Sequence, residues 1–204
     1  MIYAERVMNG NIDIPGYEFG SPSVPRSPVS LEELRALEQA CGFDANARDQ
    51  LRKAAGQLTR RAEDLVDKWR SVIAEHPEMR QVFFGPDGQP DEAYKAAVKK
   101  RFVRWVVDVC EREHNQDWLD YQEEIGERHT PTKKNQTDAA HTASVVPLRY
   151  LIAFSAVVST TIQQILEENG YSSVEIAQIR DAWTKSMLLH LALWARPYMA
   201  TSLW

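Results

Sequence analysis

Five histidines, at positions 76, 114, 129, 141 and 190, are the first places to look for chemistry, and no two of them stand four apart or form an HExxH pattern. A multi-histidine metal site therefore has little support. Cys41 and Cys110 have no CxxC partner, which makes them small core residues rather than a redox or zinc pair. The chain carries no GxSxG nucleophile turn, no phosphate-loop lysine and no GxGxxG. What remains is His129. Trp118, Tyr121, Ile125 and His129 are spaced by three, four and four residues, which puts the imidazole at the end of one inward helical line. Such a histidine is either a core residue satisfied by a backbone carbonyl or the single axial ligand of a heme iron. The second role needs one protein bond and an apolar aromatic pocket. Trp69, Phe83, Phe102, Phe154 and Trp194 each lie on the inward stripe of a different helical segment and could build that pocket. Aromatic stripes also make ordinary core, so spacing leaves both readings open.

The elements that must hold these residues are helical. Pro15, Pro22, Pro25 and Pro28 break up the N-terminal stretch, which reads as an arm over residues 1–28 ahead of a single domain over residues 29–204. Ser30 followed by Glu33 is a capping box, and opens a short helix to about Cys41. From Asp44 to about Glu75 apolar residues recur three or four apart, as two helices or one bent one, ended by His76-Pro77. Gly85-Pro86-Asp87-Gly88-Gln89-Pro90 is a dense turn signal. Beyond it the pattern predicts a helix over about Glu92 to Glu113, then one capped by Asn115 or Asp117 that runs to about His129. Thr130 to Ser144 is polar and reads as a long functional loop. Two final helices, about Val145 to Asn169 and Ser173 to Ala200, are separated by Gly170. No period-two run is long enough for a strand, so the fold class is all-α with six to eight helices.

With 24 Lys+Arg against 29 Asp+Glu, the net charge of −5 argues against a nucleic-acid partner. The longest apolar tract, Ala143 to Ile162, is interrupted by Pro147 and Arg149, whereas a spanning helix needs about 20 predominantly apolar residues. No membrane partner is expected. Glu5 and the polar run Asn9 to Asn11 stand where a signal peptide would be apolar, so the cytoplasm is the expected location.

Longer matches add what spacing cannot. Asp117-Trp118-Leu119-Asp120-Tyr121-Gln122, Ile125-Gly126-Glu127-Arg128-His129 and Thr132-Lys133-Lys134-Asn135-Gln136-Thr137-Asp138 resemble the protoglobin family of single-domain heme proteins of archaea and bacteria. The likeness extends to Ile14-Pro15-Gly16-Tyr17, Pro28-Val29-Ser30-Leu31, Pro86-Asp87-Gly88, Arg149-Tyr150-Leu151-Ile152-Ala153-Phe154 and Ala192-Leu193-Trp194 with Pro197-Tyr198. The resemblance implies a globin fold, a 3-over-3 helical sandwich, with an extra N-terminal helix and an N-terminal extension. It also implies a deeply buried heme b (iron protoporphyrin IX), reached through apolar tunnels, that binds O2, CO or NO. By position, His129 matches the proximal ligand. Trp69 and Phe102 match the distal aromatics, and Phe83, Phe154 and Trp194 match other residues around the porphyrin. Val98, Arg101, Ile125 and Val146 are further implied heme neighbours. Members are usually dimers through the last two long helices, which makes Leu189, His190 and Leu193 interface residues on this reading. Apart from the resemblance, His190 reads as a partly exposed surface histidine.

Two departures bear on the chemistry. Trp69 is followed by Arg70 where the family commonly has a tyrosine, so a hydroxyl is replaced by a fixed cation with five donors. Arg70 lies at the edge of the apolar face. Pointing inward, it would donate to a bound ligand and favour small anions such as nitrite, cyanide or hydroperoxide; pointing outward, it would leave Trp69 as the main distal group. Thr130-Pro131 stands where relatives commonly show a second histidine and an arginine. Arg101, Lys133 and Lys134 read either as solvated charge or as partners of a heme propionate. The reading is a ligand-binding heme protein first. Its alternatives are an enzyme acting on nitric oxide, nitrite or peroxide, and a gas sensor working through a separate partner.

Overall fold

The computed structural model describes residues 14–199, and among them the regular structure is helical. Residues 1–13 of the expected arm and the end of the last helix at Ala200 lie outside the described residues. We number the helices α1 (Leu31–Cys41), α2 (Ala45–Arg60), α3 (Ala62–Glu75), α4 (Pro77–Arg80), α5 (Glu92–Glu111), α6 (Gln116–Glu127), α7 (Leu148–Glu168) and α8 (Ser173–Met199). A single 3-10 turn, Gln81–Phe83, follows α4.

The ends of these helices follow from local chemistry. The Ser30 hydroxyl accepts from the Glu33 N–H at 3.1 Å while the Glu33 carboxylate accepts from the Ser30 N–H at 2.8 Å, closing the expected capping box. Asp44 caps α2, Asp91 caps α5 and Asn115, rather than Asp117, caps α6, each through its side-chain oxygen. The long segment after Asp44 is two helices that break at Arg61, whose guanidinium pairs with Asp64 and with Glu168 of α7. Pro77 forces His76 into extended backbone and ends α3. The turn at residues 85–89 brings Phe84 and Pro90 together as one isolated bridge. A second capping box, between Ser172 and Glu175, starts α8.

Two boundaries differ from the sequence pattern in a way that matters for the site. Helix α7 begins at Leu148 rather than Val145, because Pro147 holds the chain outside the helix. Helix α6 ends at Glu127, so His129 sits in the turn just beyond it. The chain stays coiled there through His129 N–H to Gly126 O, 3.1 Å, and the imidazole still occupies the next position of the inward line.

Helix α8 is the axis of the molecule: it packs on α6, α2 and α7, while α2 packs on α5 and α3 touches α5 and α7. The common core holds Leu34, Leu51, Leu58, Leu65, Trp69, Val106, Trp118, Ile162 and Trp183. Burying this apolar surface is the main term that holds the helices together. Residues Ile14 to Val29 lie against the bundle: Ile14 packs on Val107, and the Ser27 N–H donates to Asp120 at 2.9 Å. Cys110 is buried and Cys41 partly so, as small core and rim residues. Among the described residues no helix is long and apolar enough to cross a membrane.

Candidate functional site

One large cavity opens between α5, α6, α7, α8 and the arm, with an empty volume of about 1550 Å³ counting its mouth. Nine residues singled out by sequence stand on its wall: Phe83, Val98, Arg101, Phe102, Ile125, His129, Val146, Phe154 and Trp194. The other two do not. Trp69 is buried behind the wall, where its indole meets Phe102, Trp105 and Phe154 edge-on at 6.2–6.4 Å between ring centres. Arg70 turns to the outer surface of α3, into a shallow charged cleft with Glu63, Glu92, Lys99 and Lys100, and lies 3.9 Å from Asp67. Three residues after Asp67, which also pairs with Lys99 of α5, Arg70 finds its counter-charge outside, so an inward orientation is not what this packing gives.

His129 is built for ligation at one nitrogen. Its Nδ1 lies 2.7 Å from the Ile125 carbonyl, which can only accept, so the proton is on Nδ1 and the Nε2 lone pair is free. Protein surrounds the ring, yet it keeps accessible surface, as a side chain on a cavity wall does. Burial pushes its pKa down to about 4, aided by the nearby cations Lys134, Arg128 and Arg101, so the imidazole is neutral at pH 7. Its backbone is fixed as well: the His129 carbonyl accepts from Val146 N–H at 2.8 Å, and Tyr198 donates to Val146 O at 2.5 Å. Trp194 lies alongside the ring at 6.0 Å and 27°, its Nε1 donating to Gln122 at 3.0 Å.

The charged part of the wall lies beside the loop of residues 130–144. Arg101 is bound on both edges, by Asp138 at 2.6 and 2.9 Å and by the Pro15 carbonyl at 2.8 Å. Arg128 pairs with Glu124 and Glu18 and donates to the Gly16 carbonyl. Gly16 itself has φ +73°, and a Cβ there would stand 2.5 Å from Thr137 and 2.8 Å from Arg101. Tyr17 donates to Asp108 at 2.7 Å, which with burial lifts its hydroxyl to about 12, and Asp108 also holds Arg104 and Arg112. Lys134 differs. Buried to 3% exposure, it donates to Val82 O, Thr142 and Asn135, all neutral, and lies 4.4 Å over the Tyr94 ring. Burial brings its pKa down to about 8.

Lys133 and Lys134, alike in sequence, part company: Lys133 binds Glu124 and Glu127 while Lys134 turns into the wall. His190, Leu189 and Leu193 are not on the outer face that the resemblance implies. All three are buried, at 1, 2 and 4% exposure, and His190 lines the cavity with Nδ1 donating to Ser186 O at 2.7 Å. The spacing Trp183, Met187, His190, Trp194 was the available signal, since it repeats the inward period that revealed His129. Gln122 and Tyr94 carried the same signal, the alternating four- and three-residue spacing of Trp118, Gln122, Ile125, His129 and of Tyr94, Val98, Arg101, Trp105.

A model of the protoglobin family matches residues 30–204. The chain belongs to the protoglobin family. Among solved structures, the globin domain of a Geobacter sulfurreducens globin-coupled sensor superimposes on this protoglobin with a TM-score of 0.64. The two are 15% identical, over 80% of this chain and 96% of that one, a likeness that establishes the all-helical globin fold. No curated protein matches the chain.

Globins imply a heme, and the protoglobin cavity fits one on two counts. A buried imidazole offers a free Nε2 to a mostly apolar space, and Lys134 brings a buried cation whose hydrogen-bond partners among the described residues are neutral. An iron porphyrin, flat, apolar and carrying two carboxylates, answers both. No cluster of three His, Cys, Asp or Glu side chains that could hold a bare metal ion occurs among the described residues.

Proposed function

We propose that this protein binds heme b in the cavity through His129 Nε2 and takes up small gaseous ligands, O2, CO or NO, on the opposite face. The observation that carries the reading is the His129 geometry: Nδ1 committed to Ile125 O, Nε2 unpaired, and a ring held neutral by burial. When bound at His129, the heme would supply an iron able to take up a diatomic molecule. The chain does the rest. Ile125 O and Trp194 fix the plane of the imidazole. Phe102, Phe154 and Val98 contribute apolar wall to the cavity. Trp69 holds Phe102 and Phe154 in place from behind. The arm closes one side: Tyr17 and Phe19 stand on the wall, tied down through Asp108 and Arg112. In this reading residues 14–28 and the helical domain form one working unit.

The protein also works as a homodimer through α7 and α8. Leu188, Ala192 and Met199 on α8 and Ile152, Ala153 and Ala156 on α7 are exposed and together make an apolar face. This replaces the buried Leu189, His190 and Leu193 as the surface for that contact.

The test is reconstitution with hemin. One equivalent per chain should give a Soret band that shifts on reduction and again under carbon monoxide. A chain that binds no stoichiometric hemin refutes the reading.

A further inference from the structure

Four rings of the cavity wall, His129, Trp194, His190 and Trp118, form one line, and it leaves the wall only beyond Trp118. Trp194 lies 6.0 Å from His129; His190 lies 5.3 Å from Trp194 and 5.3 Å from Trp118. Trp118 is stacked on His114 at 3.9 Å and 21°, and His114 on Phe43 at 5.0 Å and 13°. Arg48, which is partly exposed, covers Phe43 at 5.1 Å and pairs with the Glu38 carboxylate that holds His114 at 2.7 Å. Every step is within ring contact.

We propose that Trp194 and Trp118, bridged by His190, relay single electrons between the cavity and the buried His114–Glu38 pair beneath the partly exposed Arg48, so that peroxide in the cavity is reduced by a one-electron donor outside it. The inference rests on the heme reading and adds an activity to it. Hydrogen peroxide takes up two electrons and two protons and becomes two waters. Each electron leaves one donor molecule, which is oxidised by one unit, and solvent supplies the protons. Indole rings suit the relay because they lose an electron more readily than imidazole does, so His190 bridges and the tryptophans carry. A hole is trapped where the oxidised ring can shed its N–H proton to a base. Trp194 donates to the Gln122 amide oxygen, which is no base, so the hole stays mobile there. At the far end, His114 stacks on Trp118 and is held by Glu38, which also pairs with Arg35 and Arg48.

The experiment uses the heme-loaded protein, treated with equimolar hydrogen peroxide and a nitroso spin trap, then digested and mapped by mass spectrometry. The probe donor is hexacyanoferrate(II), too highly charged to enter an apolar cavity. The expected result is a trapped radical on Trp118 in the wild type, its loss per bound heme in Trp194→Phe, and its suppression by the donor. In Trp118→Phe, hexacyanoferrate oxidation is lost while label on Trp194 persists. Label that never reaches Trp118, or that reaches it unchanged in Trp194→Phe, overturns the relay. Absence of a Soret band before peroxide is added removes the heme reading and the relay with it, whereas a normal Soret band with Trp118 unlabelled overturns the relay alone.

Discussion

Gly126→Ala perturbs the place where the site depends on the closest approach of two helices. Gly126 lies in α6, and a Cβ built on it meets Pro197 Cγ at 3.1 Å, Trp194 Cα at 3.2 Å and Pro197 Cδ at 3.3 Å, all on α8. None is the end of a flexible side chain, so α6 and α8 must separate by a few tenths of an ångström. Overpacking of this kind costs about 1–3 kcal/mol. Against it stands the gain from replacing a helical glycine, about 0.5–1 kcal/mol. The balance is a loss of about 1 kcal/mol, or a melting temperature lower by about 2–4 °C for a chain of this length. The same shift reaches the site, because the His129 N–H donates to Gly126 O and Trp194 lies against the imidazole. Thermal unfolding followed by circular dichroism, with the Soret spectrum of the hemin-loaded variant, reads both effects. A variant that melts higher than the wild type with an unchanged spectrum refutes the close-approach argument.

Further outcomes follow from the buried charges and the surfaces. In the heme-free chain His129 and His190, held at about 4 and 3 against an ordinary 6.5, bind protons only on unfolding. Stability therefore falls as pH drops below 6.5, by about 1.4 kcal/mol per pH unit for each histidine. His190→Phe should remove its share of that slope in urea titrations between pH 6.5 and 4, and an unaltered slope contradicts its burial as a neutral ring. Lys134, at about 8 instead of 10.5, follows the same logic in a higher pH window: the unfolded chain keeps the proton longer, so stability rises from pH 8 to 10. Lys134→Met should flatten this rise, and a persistent rise would assign it to another group. Gly16→Ala should free the arm, seen as faster amide exchange at Tyr17 and Phe19; unchanged exchange would show that the arm tolerates a side chain there. Leu188→Glu should turn a dimer into a monomer in sedimentation, whereas a wild type that sediments as a monomer rules out the apolar face of α7 and α8 as an interface.

Much of the fold was legible because helix starts and inward stripes are local. Ser30, Asp44, Asn115 and Pro77 set their boundaries through neighbours within four residues, and the pattern contains them. The line ending at His129 survived even though α6 stops two residues short, since hydrogen bonds of the following turn continue the coil. What was not legible depends on rotation of a helix about its own axis and on partners far away in sequence. Arg70 sits at the edge of its stripe, and Asp67 with Lys99 on α5 decides that it faces out. His190 looked superficial because the last helix carries apolar residues on every side, and packing against α6 and α2 selects which of them are inside. Lys134 and Lys133 are adjacent and chemically alike; a loop held by Asn135 and Thr142 sends them opposite ways.

Two histidines line one cavity, each neutral and each anchored through Nδ1, so the central claim is that His129 rather than His190 bonds the iron. His129 keeps accessible surface on the wall, while His190 is 1% exposed and enclosed by Trp105, Trp118 and Trp194. Resonance Raman spectroscopy of the reduced, hemin-loaded protein measures the iron–histidine stretch itself. The account predicts that band in the wild type and in His190→Ala, and its absence in His129→Ala. A band that survives in His129→Ala and vanishes in His190→Ala contradicts it.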